Sequence, residues 1–200
     1  MSVAPDGSPV DFYARLEDRG EGELVARAVP PPATLLELGC GAGRVTRQLV
    51  RLGYDVVAVD ESAEMLEHVR DAETVHTHIE GLDLGRRFDA ALLLSNLLTV
   101  EPPQRREFLD TCTRHADVVV VETLPLAWSP ASSASLRIDG VDDGVVHGEV
   151  FYEGGWSHAF AMRVFADEGE LAAALAECGW VLDRWLDRDR GWFRAVRARP

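Results

Sequence analysis

Four stretches of this chain are apolar along nearly their whole length: Thr34–Leu38 (TLLEL), Tyr54–Asp60 (YDVVAVD), Phe88–Ser95 (FDAALLLS) and Ala116–Leu124 (ADVVVVETL). A strand with one solvated face alternates apolar and polar residues. A continuous apolar strand is covered on both faces, the condition of parallel strands flanked by crossover helices. Helical patterns follow these stretches: RVTRQLVRLG, ending at Gly53, then a segment capped by Ser62 and running to about Arg70, then PPQRREFLDTCTRH. A weaker strand, TVHTHI, precedes Phe88. The alternation predicts an α/β fold, doubly wound around a mainly parallel sheet.

The ends of the chain read differently. Residues 1–10 hold two prolines and a glycine and read as a loose tail. Residues 11–29 read as one helix with Phe12, Leu16, Leu24, Val25 and Ala28 inward, stopped by Pro30-Pro31-Pro32. Beyond the fifth strand, GVVHGEVFY and WSHAFAMRVF read as a hairpin turning at Gly154-Gly155. DEGELAAALAECG is a helix, and WVLDRWLDRD and GWFRAVRAR are two last strands meeting near Gly191.

The length suits one domain spanning 1–200. The net charge of −14 repels phosphate backbones and anionic head groups, so neither nucleic acid nor membrane is an expected partner. No apolar run approaches the ~20 residues of a membrane span. The N-terminal stretch lacks a signal peptide's positive flank and apolar core, so a cytoplasmic location is expected. Cys40, Cys112 and Cys178 are far apart and show no metal-ligand spacing, so no metal is expected. All twenty basic residues are arginine, which removes any Schiff-base lysine chemistry.

The first strand runs into LLELGCGAGR, residues 35–44. In open α/β sheets ligands lie beyond the carboxyl ends of the strands, where this loop sits. Two ligand classes suit it, a dinucleotide and S-adenosylmethionine. The dinucleotide fingerprint is G-x-G-x-x-G, but Arg44 occupies its third glycine position and the spacing here is G-x-G-x-G. Glu37 ends the strand just beneath the loop. A carboxylate there disfavours a pyrophosphate and favours a ligand carrying a sulfonium and an ammonium. Asp60, seventeen residues past Gly43, ends the second strand, where an acid can accept two ribose hydroxyls. Hydrogen bonds to a charged acceptor are worth roughly 1.5–3 kcal/mol each.

With these residues in place, the chain resembles the class I S-adenosylmethionine-dependent methyltransferases of small-molecule type. LLELGCGAGRVTRQLVRLGYDVVAVDESAEML is similar to their first two motifs without gaps. GRRFDAALLLSNLL and ADVVVVETL are similar to their fourth and fifth strands, and FADEGELAAALAECGWVLDRW to their last helix and following strand. The resemblance spans residues 10–198 and is weakest across 125–160. It implies a seven-strand-type, Rossmann-like sheet with an antiparallel last strand and a short β insertion. It implies an N-terminal tail and covering helix over residues 1–32 and an acceptor-site insertion over 125–166. It places Gly39, Cys40 and Gly41 along the methionine part of the cofactor, with Glu37 at its amino end. Asp60 takes the ribose, Glu61 and Met65 border the adenine, and Tyr13 closes over the methionine end. His78 and Ile79 fall where the family has an adenine-facing acid and its apolar neighbour; Glu80 or Asp83 can serve instead with a small shift. Ser95 borders the cofactor.

The acceptor is less legible. Ser95-Asn96-Leu97-Leu98 follows the fourth strand and lacks the Pro-Pro-aromatic motif of the family's enzymes for DNA bases, so Asn96 is expected to face a small molecule. A two-residue turn at Gly154-Gly155 would pair Phe151 with His158, Glu149 with Phe160 and His147 with Met162. Phe151, Trp156 and Phe160 would then share one face with His147, Glu149 and His158 as an acceptor wall, the alternative being an ordinary packed face. His158 is the candidate general base, although methyl transfer often proceeds by alignment alone. The expected activity is in-line methyl transfer from the sulfonium to a small molecule, by a monomer or homodimer, in a setting such as secondary metabolism. The rivals are a non-catalytic S-adenosylmethionine- or S-adenosylhomocysteine-binding protein and a nucleotide-dependent oxidoreductase.

Overall fold

The computed structural model describes residues 2–126 and 128–198. Two short helices open it, α1 (Val10–Ala14) and α2 (Glu21–Ala28). The single helix expected over 11–29 is thus broken. Gly20 is left-handed (φ 85°) at the N-cap of α2, a conformation glycine adopts without a Cβ penalty. The alternating unit follows: β1 (Thr34–Leu38), α3 (Thr46–Leu52), β2 (Asp55–Asp60), α4 (Ala63–Leu66), β3 (Glu73–His76), β4 (Ala90–Leu93), α5 (Pro102–His115) and β5 (Val118–Glu122). Ser62 caps α4 by accepting from the Met65 N–H, but the helix stops at Leu66, short of the expected Arg70. Helix α5 has the predicted bounds, with Pro102 and Pro103 in its first turn, where missing N–H groups cost nothing.

Beyond β5, strands β6 (Leu136–Asp142), β7 (Val145–Phe151) and β8 (Ser157–Arg163) form a separate three-stranded antiparallel sheet. Helix α6 (Glu168–Ala176), capped by Asp167, leads to β9 (Trp180–Trp185) and β10 (Trp192–Arg197). The main sheet has the order β3-β2-β1-β4-β5-β10-β9. β1 to β5 are parallel, and β10, antiparallel to β5 and to β9, fits between them. The seven-stranded, mainly parallel sheet with an antiparallel last strand is therefore as expected. Its central strands are buried on both faces: Leu36, Leu38, Leu93, Val119 and Val121 pack under α5 and α6, and Leu35, Val56, Ala90, Leu92 and Val120 under α2 and α3. No helix is long and apolar enough to cross a membrane among the described residues.

The hairpin register differs from the two-residue reading. Tyr152 N–H donates to Trp156 O at 2.8 Å, so the loop holds three residues, with Gly154 and Gly155 both left-handed. The pairs become Val150↔His158, Gly148↔Phe160 and Val146↔Met162. A one-residue slip turns the facing side chains over. Trp156, His158, Phe160 and Met162 share a face with Tyr152, Val150, Gly148 and Val146. Phe151, Glu149 and His147 lie on the other.

Candidate active site

The glycine loop lies between β1 and α3. Gly39, Gly41 and Gly43 all take positive φ (67°, 54° and 78°), so the chain turns sharply three times at the strand tips. Cys40 N–H donates to Val59 O at 2.9 Å, tying the loop to the end of β2. A cavity of about 480 Å³ opens beside it, within the range of small-molecule sites.

Two carboxylates from neighbouring strands face this cavity. Glu37 is 2% exposed and accepts from the Thr46 hydroxyl at 2.6 Å. Burial pushes its pKa up to about 7, the Thr46 bond opposes the rise, and the nearby Asp60 charge adds to it. Asp60 accepts from Gly41 N–H at 2.7 Å through Oδ2 and from Ser62 N–H at 2.9 Å through Oδ1. Burial raises its pKa too, against those two bonds. Asp60 therefore fastens the loop of β1 to the turn after β2, in addition to facing the cavity.

A carboxyl with a folded pKa above its unfolded value lends stability that is complete below the unfolded value and is lost as pH rises through the folded one. From about pH 4.5 to about pH 7 the Glu37 carboxyl should thus erode the stability of the ligand-free chain. Glu37→Gln removes that titration, so its stability relative to the parent should improve steadily over the same window. Thermal melts at intervals of pH check this; a constant difference between the two proteins would show that Glu37 does not titrate there.

Most residues expected at a cofactor line the cavity: Tyr13, Glu37, Gly39, Cys40, Gly41, Asp60, Glu61, Met65, Ile79 and Ser95. Asn96, the expected acceptor residue, does too. His78 does not: its side chain is 72% exposed and pairs with Glu61 at 2.9 Å outside the cavity. Strand β3 ends at His76, and the chain then turns so that Ile79 and Glu80 face inward. Asp83 instead accepts from Gly85 N–H in its own turn. Four further residues expected at the acceptor or as base lie outside the cavity lining, namely Phe151, Trp156, His158 and Phe160. The register accounts for Phe151, and local packing holds the others. Phe151 is turned away, Phe160 packs over Gly148, and Trp156 donates from Nε1 to Gly7 O at 3.0 Å. Strand β8 reaches the cavity instead through Ala161 and Met162.

Other lining residues escaped the sequence reading. The supposed loose tail is a closed turn: Ser8 donates to Asp6, Val3 bridges Pro9, and Ala4 and Val10 pack against Ala42 and Met65. It brings Asp6 and Ser8 to the rim. Glu122, closing β5, accepts from Ser95 N–H at 2.8 Å and holds the Ser95–Asn96 turn, where both residues are left-handed. An acid ending an apolar strand was the available signal for it, as for Glu37. The lining carries the carboxylates of Asp6, Glu37, Asp60, Glu61 and Glu80 against Arg44 alone, so the cavity is suited to a cation.

Residues 35–117 match a family profile described as "Methyltransferase domain". Among curated proteins, the ubiquinone biosynthesis O-methyltransferase of Caulobacter vibrioides is 34% identical over 110 residues, 48% of this chain and 41% of that protein. The chain spans about two fifths of the length of the curated relatives it first matches. Among solved structures, the sugar N-methyltransferase KedS8 from Streptoalloteichus sp. superposes with a TM-score of 0.68 at 21% identity, covering 100% of this chain and 97% of that one. The S-adenosylmethionine-bound CalS10 from Micromonospora echinaspora, an amino pentose methyltransferase of calicheamicin biosynthesis, gives 0.67 at 19%, covering 96% and 93%. At these identities the likeness is one of fold.

Proposed function

We propose that this chain, whose residues 35–117 match a methyltransferase-domain profile, transfers a methyl group from S-adenosylmethionine to a nitrogen or oxygen of a small molecule. The observation that carries the reading is the pair Glu37 and Asp60, two carboxylates on adjacent strand ends facing one cavity beside three left-handed glycines. The fit is electrostatic. A buried carboxyl held near pH 7 ionises when a cation arrives, and S-adenosylmethionine presents an ammonium and a sulfonium. A pyrophosphate would face the same two carboxylates and be repelled, which disfavours the oxidoreductase reading.

Glu37 would hold the ammonium end. Each oxygen of Asp60 already accepts one N–H and keeps a lone pair for a ribose hydroxyl. Met65 and Ile79, both buried, would flank the adenine, with Glu61 and Glu80 at its edge. Bound there, the cofactor supplies a methyl carbon activated by a departing neutral thioether. The chain's own part is alignment and exclusion of water. The acceptor would enter between Asp6, Tyr13, Asn96 and the edge of β8 at Met162, which makes the three-stranded sheet, part of the 125–166 segment, the acceptor-side wall. An acid-rich rim favours a neutral or cationic acceptor, an amine before a carboxylate. Secondary-metabolite tailoring is the setting this reading favours, supported by the names of the fold neighbours.

Calorimetry should show binding of S-adenosylmethionine and S-adenosylhomocysteine and none of NAD. In the parent, S-adenosylmethionine affinity should rise with pH through about 7 as Glu37 loses its proton, and Glu37→Gln should flatten that dependence. Labelled methyl transfer to a panel of aminosugars, aliphatic amines and phenols tests turnover. Binding of NAD alone would overturn the reading, and cofactor binding without turnover on any acceptor would leave only a binding protein.

A further inference from the structure

A line of three hydrogen-bonding side chains runs from the cavity to His158. Tyr13, in α1, lines the cavity. Its hydroxyl lies 3.3 Å from that of Tyr152, which directly follows β7. The Tyr152 hydroxyl lies 3.1 Å from His158 Nδ1, on β8. The parts are held from several sides. The His158 ring stacks on Tyr152 at 5.5 Å and 25°, and Phe12 sets its edge on Tyr152 at 4.8 Å. Gly7 passes so close to His158 that a Cβ there would sit 3.0 Å from the His158 Cβ. The hairpin register puts His158 on the face of Tyr152, at the far end of this line.

Each hydroxyl donates one hydrogen bond, so the line has two arrangements. With His158 neutral and Nδ1 bare, Tyr152 donates to Nδ1, Tyr13 donates to Tyr152, and the Tyr13 oxygen is left to accept from the cavity. With Nδ1 protonated the order reverses, and Tyr13 donates into the cavity. Passing between the two moves one proton from the cavity side to His158.

Building on the methyltransferase reading, we propose that Tyr13, Tyr152 and His158 form a proton relay that takes the proton released by the methyl acceptor. As the acceptor's electron pair closes its bond to the methyl carbon, the carbon–sulfur pair stays with sulfur. The acceptor's proton passes to the Tyr13 oxygen, the Tyr13 proton to Tyr152, and the Tyr152 proton to Nδ1. His158 becomes an imidazolium and can lose its other proton from Nε2. Tyr13 is the group that touches the acceptor; Tyr152 and His158 act through it. No tyrosinate forms, which agrees with the position of Tyr152, whose pKa burial pushes strongly upward. The other groups that bear on Tyr152 are the Asp6 carboxylate and the Ser8 hydroxyl of the N-terminal turn.

Nitrogen NMR of the full chain labelled at histidine tests the line directly. His158→Asn identifies the His158 signals among those of the six histidines. Tyr13→Phe, which leaves every atom touching His158 in place, should shift the His158 Nδ1 resonance at a fixed pH. Tyr152→Phe should shift it further, and adding Tyr13→Phe to Tyr152→Phe should change nothing more. For an acceptor taken from the amine and phenol panel, Tyr152→Phe should lower kcat about 100-fold and remove one limb of its pH profile. A His158 Nδ1 resonance indifferent to Tyr13→Phe, or additive shifts, overturns the proposal; so does a parental kcat–pH profile in Tyr152→Phe. If Tyr152→Phe does not fold, the Tyr13→Phe spectrum decides alone. Failure to bind S-adenosylmethionine would sink the methyltransferase reading and leave the NMR coupling measurable.

Discussion

Asp60→Ala should cost S-adenosylhomocysteine at least tenfold in affinity and should also lower the melting temperature of the ligand-free chain. The affinity loss follows from the proposed ribose contacts, since ~1.4 kcal/mol already gives a factor of ten. The stability loss follows from the two N–H groups that Asp60 already serves, those of Gly41 and Ser62. Each would lose a charged acceptor in a largely buried place, at about 1–3 kcal/mol. In a chain of this size each kcal/mol lowers the melting temperature by roughly 2–4 °C. Asp60→Asn should fall between parent and alanine, because its single oxygen can serve only one of the two N–H groups. Calorimetry and thermal melts separate the effects. A melting temperature unmoved by Asp60→Ala would mean that the loop stands without it.

Gly39→Ala and Gly41→Ala should both weaken S-adenosylhomocysteine but should differ in stability. Both positions are left-handed, and a side chain there costs about 1–2 kcal/mol in backbone strain. At Gly39 the new methyl would also sit 2.7 Å from Leu97 Cδ1, so the Leu97 side chain must shift as well. At Gly41 it would meet nothing within 4 Å. Gly39→Ala should therefore melt below Gly41→Ala, and both below the parent. Equal melting temperatures would show that Leu97 yields freely and that the backbone alone sets the requirement for glycine.

The parts of the fold that were legible were those where one burial pattern allows one structure. Leu35-Leu36, Val56–Val59, Ala90–Leu93 and Val118–Val121 are covered on both faces and read as core strands without ambiguity. The loop glycines and the place of Glu37 and Asp60 beside the cavity were legible because a turn at strand tips needs positive φ and acids ending buried strands face the space beyond them. What was hidden depended on contacts distant in sequence or on a single residue of turn length. β6 is exposed over most of its length and its apolar–polar alternation breaks at Gly140 after four residues, so LRIDGVD was too short a signal to read as a strand. The hairpin loop admits two or three residues around Gly154-Gly155, and that choice decides whether Phe151 or Tyr152 shares a face with His158. The N-terminal turn is ordered by Asp6, Ser8 and a wall made of Ala42 and Met65, partners that no local pattern announces.

The insertion of β10 between β5 and β9 has a consequence for biosynthesis. Four consecutive valines of β5 leave the ribosome well before the strand that completes their edge, since about 70 residues separate Glu122 from Trp192. At 5–20 residues per second that is roughly 4–14 s during which an apolar strand edge is open to neighbouring chains. The last strand therefore acts late, as the cover that removes an aggregation-prone edge. Polypeptides halted anywhere between residues 123 and 191 would leave it uncovered and depend most on chaperones.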